Sequence, residues 1–158
     1  MMSFFRSLQD SAFTEWFLGS DSIWTYPTVL TLHTFGMMVL VGSALMIDLR
    51  LLGFGRGIPL SSLERLFRVM WGAFWLNLAT GTMLFIADAS KRGTQPLFLI
   101  KLLLVGSGIA TIVLLRRRVF DGTKEPLVIT GAAKRLAVTS LLVWSAAVTA
   151  GRLLAYVG

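Results

Sequence analysis

The chain has 158 residues, of which 55% are hydrophobic and 15% charged, with a mean hydropathy of +0.74; a soluble domain carries about 25% charged residues, so this is read as an integral membrane protein. The net charge of +7 is not spread as a nucleic-acid surface would need: ten of the 15 Lys and Arg residues fall in two short connections, Arg50, Arg56, Arg65 and Arg68 in one and Arg116, Arg117, Arg118, Lys124, Lys134 and Arg135 in the other. The absence of cysteine excludes disulfides, thiolate metal sites, thioether-linked haem and iron–sulfur clusters on their usual ligands.

At the N-terminus, SFFRSLQDSAFTEWFLG sets Phe4, Phe5, Leu8, Ala12, Phe13, Trp16 and Phe17 on one stripe at helical spacing, opposite Arg6, Gln9, Asp10 and Glu15. This pattern predicts an amphipathic helix over residues 3–18, lying in the membrane interface as an anchor or as a lid over a site at that face. Met1 to Gly19 lacks a basic start, an apolar block and a cleavage site, so this segment is expected to be retained. Four apolar runs follow: Trp24 to Leu49, Val69 to Ala87, Leu97 to Leu115 and Leu136 to Val157. Each approaches the roughly 20 residues that cross a hydrocarbon core. Only helices or closed barrels satisfy the backbone in lipid. The fold expected is therefore all-α, a four-helix transmembrane bundle over residues 21–158 preceded by the interfacial helix of residues 1–20. Basic loops alternate with weakly basic ones, which places both termini outside, in the periplasm of a bacterial inner membrane.

Between the first two runs, GFGRGIPLSS reads as a turn, and Asp48 with Arg50 as an ion pair or cap at the inner interface. DASKRGTQP is the outer turn. Small residues four apart, Gly106 with Ala110, Ala146 with Ala150 and Ala147 with Gly151, mark expected packing faces. Trp144 sits near mid-membrane.

Ionisable groups inside a span are costly and are functional candidates by default. Here all four helices contribute one to the outer half: His33, the only histidine, from the first, Asp88 from the second, Lys101 from the third and Arg152 from the fourth. Helical spacing groups His33 with Gly36, Met37, Leu40 and Ala44, and Asn77 with Gly81, Leu84 and Asp88. It likewise groups Lys101 with Leu104, Val105 and Gly108, and Arg152 with Ser145 and Val148. His33, Lys101 and Arg152 are expected to line one cavity, with Asp88 and Asn77 on its wall. The plainer account is snorkelling by Lys101 and Arg152, a local pair for Asp88, and an interhelical hydrogen bond for His33.

The stretches TLHTFGMMVLVGSALMIDLRLLG, GTMLFIADASKRGTQPLFLIKLLL and LLVWSAAVTAGRLLAYVG resemble an uncharacterised family of small bacterial four-helix membrane proteins, over most of Tyr26 to Val157. More distantly, the histidine of the first span and the lysine that begins the third are similar to the HemJ-type protoporphyrinogen oxidase, a haem-associated membrane protein, and to CopD-type copper-resistance proteins. These resemblances imply roles for His33 and Lys101 only.

Three functions are weighed. The first is redox work with haem b, in exchange with a quinone. There His33 is the axial ligand, Gly36 makes room for the macrocycle, and Lys101 and Arg152 pair with propionates, an attraction that a low dielectric strengthens. One histidine per chain excludes bis-histidine ligation within a monomer. The second is a non-catalytic anchor or accessory subunit that packs against its own copies or against other membrane or periplasmic subunits. The third is Cu(I) transport, with His33, Met37 and Met83 as soft donors. Whether the chain is an enzyme stays open; no Ser, His and carboxylate arrangement suggests hydrolysis, and no motif suggests nucleic acid.

Overall fold

The computed structural model describes residue 10 and residues 12–19, 24–120, 129–154 and 156. Among these there is no strand. The elements are α1 (Ala12–Gly19), α2 (Thr25–Leu52), α3 (Leu60–Ala87), the single turn α4 (Ala89–Arg92), α5 (Pro96–Leu115), a π-helical turn over Arg116–Phe120, and α6 (Gly131–Leu153). Four helices, α2, α3, α5 with its π turn, and α6, are long and apolar enough to cross a membrane, as the sequence predicts for a multi-pass membrane protein. Large apolar side chains on each face outward, among them Leu103 at 74%, Leu142 at 67% and Trp75 at 61% exposure. Such a surface suits lipid and would be a liability in water.

Of the helix predicted over residues 3–18, α1 covers Ala12–Gly19; residues 3–9 and 11 lie outside the described residues. Phe17 is buried, packed with Val29 of α2, Ala87 of α3 and the half-buried Met83 and Leu84. Its ring also meets that of Tyr26 at 6.0 Å. α1 is thus tied to the ends of α2 and α3 nearest the chain termini, here called the terminal end; the opposite, Arg-rich end is the basic end.

Helix boundaries follow local chemistry. α2 stops where Gly53 takes φ 107°, with its N–H on the carbonyls of Arg50 and Leu49 and the Phe54 N–H on Leu49 at 3.0 Å; glycine alone adopts that conformation without strain. α5 opens on Pro96, whose missing N–H is harmless in a first turn. α6 is capped by Thr130, whose hydroxyl accepts from the Ala133 N–H at 3.2 Å. At the basic end α3 and α6 begin several residues before the apolar runs do, because their amphipathic first turns still have a core to face: Leu63, Phe67, Ala133 and Ala137 are all buried there.

α2 is the central helix, packing along both α3 and α6, while α6 packs along α5. α3 and α5 meet through aromatic pairs at the two ends, Phe85 stacked on Phe98 and Phe67 edge-on to Phe120, each at 5.0 Å. The π turn carries Val119 into the core and Phe120 against it, while Arg116, Arg117 and Arg118 stay exposed.

Two packing expectations are corrected. Gly106 has open space beside it and Ala110 is exposed, so that face does not pack. The close approach of α5 and α6 uses Gly108 instead: a Cβ there would stand 2.8 Å from the buried indole of Trp144. On α6, Ala147 and Ala150 are buried and Gly151 is half-buried, whereas Ala146 is exposed. Asp48 and Arg50 also part company. Arg50 donates to the carbonyls of Ile58 at 2.8 Å and Arg56 at 3.2 Å, binding the loop to the helix end, while Asp48 is buried within the bundle with neither carboxyl oxygen paired. The expected ion pair is absent, because residues two apart on a helix point about 200° away from each other.

Candidate functional site

The α2–α3 seam near the terminal end is built around His33. Its Nδ1 lies 3.0 Å from Thr80 Oγ1 of α3, and Thr80 donates its own proton to the Leu76 carbonyl at 2.7 Å. The tautomer that fits a hydroxyl proton directed at Leu76 carries the ring N–H on Nδ1 and donates it to Thr80. That tautomer leaves Nε2 with a free lone pair, the form in which imidazole ligates metals. The described residues offer Nε2 no hydrogen bond, and the ring is only half-buried.

Two glycines set the spacing. A Cβ on Gly81 would stand 3.0 Å from His33 Cε1, so the glycine is what lets the ring lie against α3. A Cβ on Gly36 would stand 2.5 Å from Asn77 Nδ2. The space Gly36 provides is therefore filled by Asn77, and the expectation that it makes room for a macrocycle is corrected accordingly. Asn77 is buried, donates Nδ2 to the Ala73 carbonyl at 3.1 Å, and keeps Oδ1 without a partner. Above this layer, one helical turn toward the terminal end, Phe17 of α1 closes on Val29, Met83 and Leu84.

Lys101 reaches from α5 across α6, its Cε and Nζ 3.4 and 3.7 Å from where a Cβ of Gly151 would be. The ammonium is within electrostatic range of His33 and of Arg92. Asp88, the acid nearest in sequence, is already paired with Arg92 at 3.2 Å, one turn along. Among the described residues Lys101 therefore has no carboxylate partner. Arg152 is exposed, its guanidinium 5.6 Å from the centroid of Tyr156. Its face-mates Ser145 and Val148 are exposed too. Of the predicted set, the structure thus gathers His33, Gly36 and Asn77 on one seam with Lys101 in range, and engages Asp88 and Arg152 with local partners.

Met37, one turn from His33 on α2, is half-buried, while Met83 belongs to the Phe17 cluster. No three His, Asp or Glu side chains gather as a metal-binding set among the described residues. A metal at this level would rest on His33 with thioether or external donors.

A family of unknown function, DUF6644, matches residues 17–157. The chain belongs to that family. No curated protein and no solved structure matches it, and no similarity to protoporphyrinogen oxidase or to copper-resistance proteins is found. For this DUF6644 member the match takes in every residue of the seam, Phe17 included.

Sequence reasoning missed Thr80. Its signal was available, since it lies three residues after Asn77 and next to Gly81, on the stripe already singled out. It also missed Ser140 and misplaced Asp48, both buried at the α2–α6 contact.

Proposed function

We propose that the protein is a membrane redox protein that binds haem b at the His33 level and exchanges electrons with a quinone. The observation that carries this reading is the 3.0 Å contact of His33 Nδ1 with Thr80, which in the tautomer that donates from Nδ1 leaves Nε2 as a ligand. Among the described residues Lys101 adds a cation without a carboxylate counter-ion, which suits an anionic substituent such as a propionate. Haem supplies one-electron chemistry when bound; the protein's part is to hold the ligand ring, to balance charge through Lys101, and to shield the seam with Phe17. One histidine per chain means that two axial imidazoles would require two copies, hence a homo-oligomer.

The test is the visible spectrum of the purified protein with metal analysis on the same sample. A Soret band is expected, to be lost in His33→Ala at unchanged helix content and weakened in Lys101→Gln. Bound copper without a Soret band would instead support a Cu(I) role, for which Met37 one turn from His33 is the supporting feature. Neither copper nor a chromophore would overturn both and leave the accessory-subunit reading.

In the same reading the basic end faces the cytoplasm of a bacterium and the terminal end its periplasm, supported by the Arg-rich loops. A cysteine at Thr94, exposed in the turn before α5, should react with an impermeant thiol reagent in intact cells. One at Gly57, exposed in the α2–α3 loop, should react only after lysis. The reverse pattern would invert the orientation.

A further inference from the structure

Three of the buried side-chain oxygen and nitrogen atoms that lack a hydrogen bond among the described residues, both carboxyl oxygens of Asp48 and Ser140 Oγ, fall together where α2 meets α6. Asp48 is 1% exposed and Ser140 0%. The carboxyl group faces an apolar recess of Ala44, Ile47, Phe67, Met70, Ile112 and Leu115, too small to hold a water, with Ser140 as its polar neighbour, close enough to interact but without a well-formed hydrogen bond. On its other side, a groove of about 360 Å³ runs between α2 and α6, where Leu45, Ser145 and Val148 are exposed. That volume falls within the range of small-molecule clefts. Asp48 lines both spaces.

A carboxylate so placed has a charge to neutralise. Among the described residues no Lys, Arg, His or other acid lines either space, from α2, α3, α5 or α6, and the nearest cation in sequence, Arg50, is bound to loop carbonyls. An unpaired charge in apolar surroundings costs many times what a hydrogen bond returns, and such groups neutralise instead. The recess has no room for a hydrated ion; the smallest neutralising ligand is a proton.

We infer that Asp48 is a proton-binding carboxyl group, reached through the α2–α6 groove and forming a second site separate from the His33 seam. The groove gives apolar molecules dissolved in the bilayer a path to the acid, and Ser140 is the hydroxyl positioned to exchange a hydrogen bond with it as the side chain moves.

The inference is tested with dicyclohexylcarbodiimide, an apolar reagent that attacks the acid form of a carboxyl group. The carboxyl proton passes to a carbodiimide nitrogen as the oxygen bonds to the central carbon, and an acyl shift to nitrogen makes the adduct permanent; nothing is oxidised and no group leaves. In the full-length protein in lipid bilayers, mass spectrometry should find the adduct on Asp48 and not on exposed Glu64. It should vanish in Asp48→Asn and persist in His33→Ala, which keeps this site distinct from the haem reading. In parallel, the infrared C=O stretch of a protonated carboxylic acid should be present and disappear in Asp48→Asn. No adduct on Asp48 in the folded protein would overturn the claim that the groove reaches it. Absence of the C=O band would overturn the claim that it holds a proton.

Discussion

Replacing Gly36 with alanine should loosen α2 from α3 and strip the His33 seam of any bound chromophore or metal. The added Cβ would stand 2.5 Å from Asn77 Nδ2 and 3.2 Å from its Cγ, far inside van der Waals contact. Asn77 has little freedom to retreat, because it is buried and its amide is bonded to the Ala73 carbonyl. Overpacking of this kind costs about 1–3 kcal/mol, and the relief open to the protein is a shift of α3 as a body. Such a shift would also move Thr80, one turn further along the same face, and lengthen its 3.0 Å contact with His33. Gly42→Ala on the same helix is the control, since nothing lies within 4 Å of its Cβ position and alanine favours the helix. The measurement is the thermal unfolding midpoint in detergent together with the visible spectrum and metal content. Equal midpoints for the two variants would show that Asn77 moves freely and that Gly36 does not fix the seam.

The sequence discloses the helices more fully than their faces. Long apolar runs are decided by the solvent, and α2 and α5 lie close to where the runs of Trp24 to Leu49 and Leu97 to Leu115 place them. Which side of a span faces its neighbours is a weaker signal, because lipid and protein interior are alike in polarity and hydrophobic periodicity loses its contrast. Gly106 and Ala110 have the four-residue spacing of a packing face, yet Gly108 makes the contact, because the deciding fact is where Trp144 of another helix lands. His33 and Asn77 were legible because a polar group in a span needs a partner. Thr80 was less so, since a threonine can satisfy itself on its own helix, as it does on the Leu76 carbonyl, while also accepting from a neighbour. Asp48 was misplaced because it stands beside Arg50 at the end of an apolar run. Its spacing of four from Ala44, itself 2% exposed, was the better guide to its burial.

Asp48→Leu should make the protein more stable while abolishing its reaction with the carbodiimide. Leucine has the same branching as aspartate and puts two methyl groups where two unpaired oxygens now stand. Leaving a buried polar group unsatisfied costs about 1–3 kcal/mol, and replacing it with an apolar group of the same shape can be neutral or stabilising. The methyl groups would meet Ala44, Ile47, Phe67, Met70, Ile112 and Leu115, all apolar. Their extra bulk strains a recess with no room for a water, but Met70 is unbranched and can take up the difference. The unfolding midpoint in detergent should therefore rise, and Ser140→Ala, which removes the neighbouring orphan hydroxyl, should at least preserve it. A structural role predicts the opposite sign: if Asp48 and Ser140 hold the α2–α6 contact together, both substitutions lower the midpoint. A site kept for its chemistry at the expense of stability is expected to show a higher midpoint and a lost reaction in the same variant.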